Sequence, residues 1–124
     1  MPIKYESALE LKETALSVAS VLGLNHDFSR ITFLRSRGST SRRTIARCHG
    51  LPKVMQIALE TKGHYVVEVI SERFDRLSEE EKIKTIIHEL LHIPKSMGGG
   101  FRYHDYVCSK NVDKLYKLYE KSIQ

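Results

Sequence analysis

Ser78-Glu79-Glu80-Glu81-Lys82-Ile83-Lys84-Thr85-Ile86-Ile87-His88-Glu89-Leu90-Leu91-His92-Ile93-Pro94 is the stretch from which the rest of the chain can be read. Ser78 with Glu81 three residues on fits a capping box, in which hydroxyl and carboxylate satisfy backbone donors at a helix start. Glu79, Glu80 and Glu81 also complement the positive end of the helix dipole. Ile83, Ile86, Ile87, Leu90 and Leu91 carry the helix on to Ile93, and Pro94 disfavours helix in the residue before it. Apolar side chains fall on several sides, which suits a helix packed under a sheet. One narrow face is left for His88 and His92, four apart and therefore stacked one above the other. Two imidazoles so placed can grip one ion, and Glu89 can reach a water held there. Two ligands and a general base on one turn form the HExxH arrangement of zinc-dependent hydrolysis.

An ion doing such chemistry needs three protein ligands and one position open to water. His104 is the candidate for the third, because it lies beyond Gly98-Gly99-Gly100, a flexible loop able to return the chain beside His92. His49 or His64 could substitute, and Asp105 could serve as an oxygen donor. The ion would bring the pKa of a bound water toward ~7, and Glu89 would take the proton and later pass it to a leaving amine. Arg102, Tyr103 and Tyr106 are candidate oxyanion stabilisers. Cys48-His49 with Cys108 could form a second metal site, but the spacing fits no zinc finger, and buried thiols commonly serve as small hydrophobes.

Upstream, Ala8, Leu11, Ala15, Val18 and Leu22 recur at helical spacing and predict a helix from about Lys4 to Leu22, with Gly23 as its stop. Ile31 to Leu34 is a short run of strand formers, and Arg42 to Cys48 alternates enough to pair back as a strand. Val54 to Leu59 fits strand or helix by periodicity; its short length and punctuated ends favour strand. Tyr65 to Ile70 is the clearest strand. A last helix is expected from near Asp105, with Cys108, Val112, Leu115, Tyr116, Tyr119 and Ile123 on its buried side. The order is helix, three or four strands, metal helix, loop, helix.

The 124 residues suit one domain, 1–124, with a modest core. Hydrophobic residues at 41% and charged residues at 28% are ordinary for a globular chain. No apolar run approaches the roughly 20 residues that span a bilayer, and the first residues lack a signal-peptide core. With two cysteines there is no disulfide framework, so the expectation is a cytoplasmic protein away from membranes. The net charge is +5, and Arg35, Arg37, Arg42, Arg43 and Arg47 fall within thirteen residues. Such a run suits a solvated loop or nucleic-acid phosphate contacts, although no aromatic residue there could stack on a base.

These residues together resemble a family of small metallopeptidases of phages and archaea within the zincin superfamily. The resemblance rests on Arg35-Ser36-Arg37-Gly38-Ser39, Ala46-Arg47, Gly50-Leu51-Pro52, Ser71-Glu72-Arg73-Phe74-Asp75, His88 to Pro94, His104 and Val112-Asp113-Lys114-Leu115-Tyr116. It implies a zincin-like α+β fold, one Zn2+ on His88, His92 and His104, Glu89 as catalytic base, and peptide or protein substrates. In zincins the substrate lies along an edge strand, a role the resemblance would give to Val54–Leu59. A more distant likeness is to SprT-like proteases acting on DNA-associated proteins, although their four-cysteine ribbon is missing. The competing class is a nucleic-acid-binding or scaffold protein whose structural zinc is closed by Cys48 or Cys108.

Overall fold

Tyr65-Val66-Val67-Glu68-Val69-Ile70 is rich in β-branched residues, which favour the pleated, half-buried environment of a sheet, and it forms the inner strand around which the fold is arranged. The computed structural model describes residues 2–103 and 106–123. In chain order these form β1 (Lys4–Ser7), α1 (Leu9–Leu22), a 3-10 turn (Phe28–Arg30), β2 (Ile31–Arg37), β3 (Ala46–Gly50), α2 (Lys53–Ala58), β4 (Tyr65–Ile70), α3 (Ser71–Phe74), α4 (Glu79–His92) and α5 (Ser109–Ile123). The four strands make a mixed sheet in the order β1-β2-β4-β3. β2 runs parallel to β4, with Ile31 opposite Tyr65, whereas β1 on β2 and β3 on β4 are antiparallel. The architecture is the expected α+β, zincin-like arrangement.

Strand alternation sets which face the helices cover. Ile31 and Phe33 of β2, Tyr65, Val67 and Val69 of β4, and Ala46 and Cys48 of β3 pack with Leu11 and Ala15 of α1 and Ile86 and Leu90 of α4. A second cluster joins Val18 of α1, Ile87 and Leu91 of α4, and Val112 and Tyr119 of α5. α4 thus has three distinct faces one residue apart. Ile86 and Leu90 meet the sheet, Ile87 and Leu91 meet helices, and His88 and His92 take the third. Burying each of those four aliphatic side chains stabilises the fold by about 1.5–3 kcal/mol. Ser78 caps the helix as expected, its hydroxyl accepting from Glu81 N at 3.2 Å.

Several expectations are corrected. The N-terminal helix does not begin at Lys4: residues 4–7 form β1, exposed at every position, and the buried stripe starts only at Ala8. β2 extends past Leu34 to Arg37, because β1 pairs with its far end. β3 spans Ala46–Gly50 rather than Arg42 to Cys48. Val54–Leu59 is not a strand and so is not the sheet edge: α2 occupies Lys53–Ala58, following Pro52, whose missing N–H costs nothing before a first helical turn. Both sides of β4 are already taken, by β2 and β3, and Val54 and Ile57 stand about 70% exposed. The last helix begins at Ser109, with Cys108 just before it half-buried, and Ile123 is exposed rather than buried.

Candidate metal centre

The third face of α4 brings His88 Nε2 and His92 Nε2 to 3.2 Å. Two nitrogens each about 2.0–2.1 Å from a tetrahedral zinc ion lie about 3.3 Å apart, so the spacing fits that ion. His92 Nδ1 lies 2.7 Å from the carbonyl of Arg102. A carbonyl only accepts, so Nδ1 carries a proton, the tautomer in which Nε2 is the nitrogen left to bind a metal. The same residue returns the contact, Arg102 N donating to His92 O at 2.7 Å. Among the described residues, His88, Glu89 and His92 form the one cluster of metal-binding type, with ligand atoms within 4.8 Å of one another.

Glu89 is 5% exposed, and its Oε2 is buried without a hydrogen-bond partner among the described residues. Removal from water disfavours the charged form and pushes this carboxyl up to about 7. Cys48, on the helix-covered face of β3, has its thiol pushed up to about 12, mainly by burial and further by the nearby Glu89 carboxylate. Cys48 packs against the cluster that contains Ile86 and Leu90 of α4, which places the middle of β3 alongside that helix. A cavity of about 370 Å³ opens beside it, floored by His88, Glu89 and Thr85 of α4 and walled by Ala46 at the start of β3 and by Val112 and Asp113 of α5. Lys84, which also lines it, is bound to Glu80 at 3.1 Å and Asp113 at 3.2 Å.

The remaining candidates are distributed differently. His104 and Asp105 lie outside the described residues. His49 and His64 are not brought to the pair: His49 Nε2 meets Glu68 Oε1 at 2.8 Å, and His64 Nε2 meets Thr32 Oγ1 at 2.8 Å. His49 follows Cys48 on the strand and therefore points to the opposite face of the sheet. The Arg102 guanidinium lies 3.4 Å from the Tyr106 ring centroid, and both line a second cavity of about 180 Å³ with Leu90 and Leu91, not the one containing His88. Tyr103 is 68% exposed. Cys48 and Cys108 are free thiols and stand outside the histidine cluster.

The five arginines do not act as one patch. Arg35 binds Glu10 at 2.8 Å and Asp75 at 2.6 Å, and Arg37 binds Glu6 at 2.6 Å. Arg42, Arg43 and Arg47 are exposed, and only Arg43 of the five borders the larger cavity. Sequence reasoning missed the α5 wall of that cavity and the bonds that hold Gly98 to Gly100. The latter run was expected to be flexible, yet all three residues are tied by side chains of α2 and β4.

A helix carrying two convergent imidazoles and a buried carboxylate beneath the edge of a mixed sheet has the framework of a metallopeptidase. Over residues 3–121 the chain matches the family model described as putative phage metallopeptidase, and it belongs to that family. No curated protein and no solved structure matches it. Among the described residues, no helix is long and apolar enough to cross a membrane.

Proposed function

We propose that the protein is a zinc-dependent peptidase in which His88, His92 and His104 hold one ion and Glu89 is the general base. The observation that carries this reading is the 3.2 Å approach of the two Nε2 atoms beside a buried carboxylate oxygen that has no hydrogen-bond partner among the described residues. A bound zinc ion supplies Lewis acidity, polarising a peptide carbonyl and acidifying water. Glu89 takes a proton onto its carboxylate and delivers it to the leaving amine; its displacement toward neutral pH suits both roles. A structural ion closed by cysteine is disfavoured, since neither thiol belongs to the histidine cluster.

The substrate strand belongs on β3. Ile70 N donates to Ile45 O and Leu51 N donates to His64 O, so the odd-numbered residues of this segment turn their backbone groups toward β4. Ala46, Cys48 and Gly50 therefore turn theirs outward, along an edge where no further strand pairs among the described residues. A peptide added there is held by main-chain bonds, and alternate side chains face the cavity beside His88.

The deciding experiment couples zinc content with cleavage of an unfolded test protein for wild type and Glu89→Gln. The variant is expected to keep its zinc and lose activity by roughly 10²–10⁴-fold, the usual contribution of a positioned base. Unimpaired cleavage by Glu89→Gln, or a wild-type protein that takes up no zinc, overturns the proposal.

A further inference from the structure

Gln56 and Tyr65 are polar side chains buried to 5% and 0% exposure, and neither belongs to the proposed ligand set. Both are spent on one short segment. Gln56 Nε2 donates to Gly98 O at 2.9 Å and to Leu51 O at 2.8 Å. The Tyr65 hydroxyl donates to Gly100 O at 2.6 Å and accepts from Gly99 N at 2.9 Å. Gly99 has a φ of +110°, and a Cβ there would lie 2.6 Å from Leu51 O and 2.8 Å from Gln56 Nε2. The seat accepts backbone only. Phe101 then packs edge-on against the Tyr65 ring, centroids 5.8 Å apart. One residue further, Arg102 makes its two main-chain contacts with His92, through N and through O.

We infer that Gln56 and Tyr65 are positioning residues which hold Gly98–Arg102 so that the Arg102 carbonyl fixes the proton of His92 on Nδ1. A run of three glycines is otherwise the most freely moving kind of backbone, and ordering each residue costs about 1–2 kcal/mol. Three side-chain hydrogen bonds, to Gly98, Gly99 and Gly100, offset that cost, and the bond from Gln56 to Leu51 anchors the Gln56 amide. The consequence for the site is a single tautomer, with the proton on Nδ1 and Nε2 directed at His88 Nε2. The inference rests on the proposal that His92 is a metal ligand.

The test uses the full chain with Tyr65→Phe and, separately, Gln56→Met, which keep the volume and remove the donors. In the metal-free proteins, nitrogen NMR of His92 reads its tautomer directly. Competitive titration with Zn2+ and the visible spectrum of bound Co2+ read the ligand geometry. Both variants should show mixed tautomers, zinc affinity weaker by about tenfold and an altered cobalt spectrum, as partners of ligating histidines generally do. A lower melting temperature with wild-type tautomer and wild-type affinity in the folded variants would mean a purely structural role and overturn the inference. If Tyr65→Phe does not fold, Gln56→Met decides; if neither folds, the role is in folding and the inference fails. Wild-type protein that binds no zinc removes the ligand proposal, while the His92 tautomer still judges the clamp by itself.

Discussion

Under the proposed mechanism, Glu89 is the residue at which function and stability oppose each other. Its carboxyl stands near the usual 4.5 in the unfolded chain and at about 7 when buried. Between those values the folded state holds a proton that the unfolded state releases, so stability falls as pH rises from about 4.5 and levels off above 7. Replacing the carboxylate by a neutral amide removes this cost, which is on the order of 3 kcal/mol at pH 8. Glu89→Gln, stripped of metal with a chelator, should therefore melt above wild type at pH 8, with the gain nearly gone at pH 4.5. Thermal melts across that range check it, and a variant that is less stable at pH 8 contradicts the burial account. The HExxH spacing made the histidine pair and the glutamate legible in the sequence. The 95% burial of Glu89 was not, because it depends on β3 closing over a helix far away in the chain.

Among the elements, α4 and β4 were legible because local pattern and tertiary demand agree. The capping serine, acidic first turn and terminal proline mark the limits of α4, and its apolar residues serve two packing partners at once. Ser78→Ala should lower stability by about 1 kcal/mol in chemical denaturation, as loss of a cap generally does. β1 and α2 were illegible for opposite reasons. β1 is four residues long and exposed throughout, so it has no buried stripe to betray it and is held by backbone pairing and the Arg37–Glu6 contact. α2 carries apolar residues that look like a buried strand yet point into solvent, while its one buried side chain is the polar Gln56. Val54→Lys and Ile57→Lys should each change stability by less than about 0.5 kcal/mol, the range for exposed sites. A loss of several kcal/mol from either would contradict the exposed placement of this helix face.

For the whole molecule, topology decides where a substrate can lie, and topology was the part hidden from the sequence. Periodicity identified strands without saying which would be outermost; the edge beside the site is fixed by β2 pairing parallel to β4 and leaving β3 on the far side. Of the two outer strands, β1 is separated from β3 by two others, and β3 alone borders the cavity floored by His88 and Glu89. The alternation of backbone groups makes this testable by a substitution that spares the sheet. Ala46 turns its N–H away from β4, so Ala46→Pro removes a donor from the free edge without breaking a bond of the β3–β4 ladder, a position where strands tolerate proline. Zinc content and melting temperature should stay close to wild type, while cleavage of an unfolded protein falls by about tenfold or more in kcat/KM, as expected when about 1.4 kcal/mol of binding is lost. Arg42→Ala, on the exposed loop before β3, serves as the matched control and should leave cleavage unchanged. Unaltered cleavage by Ala46→Pro in a folded, zinc-loaded protein would move the substrate off this edge, even if the metal centre itself were upheld by the loss of activity in Glu89→Gln.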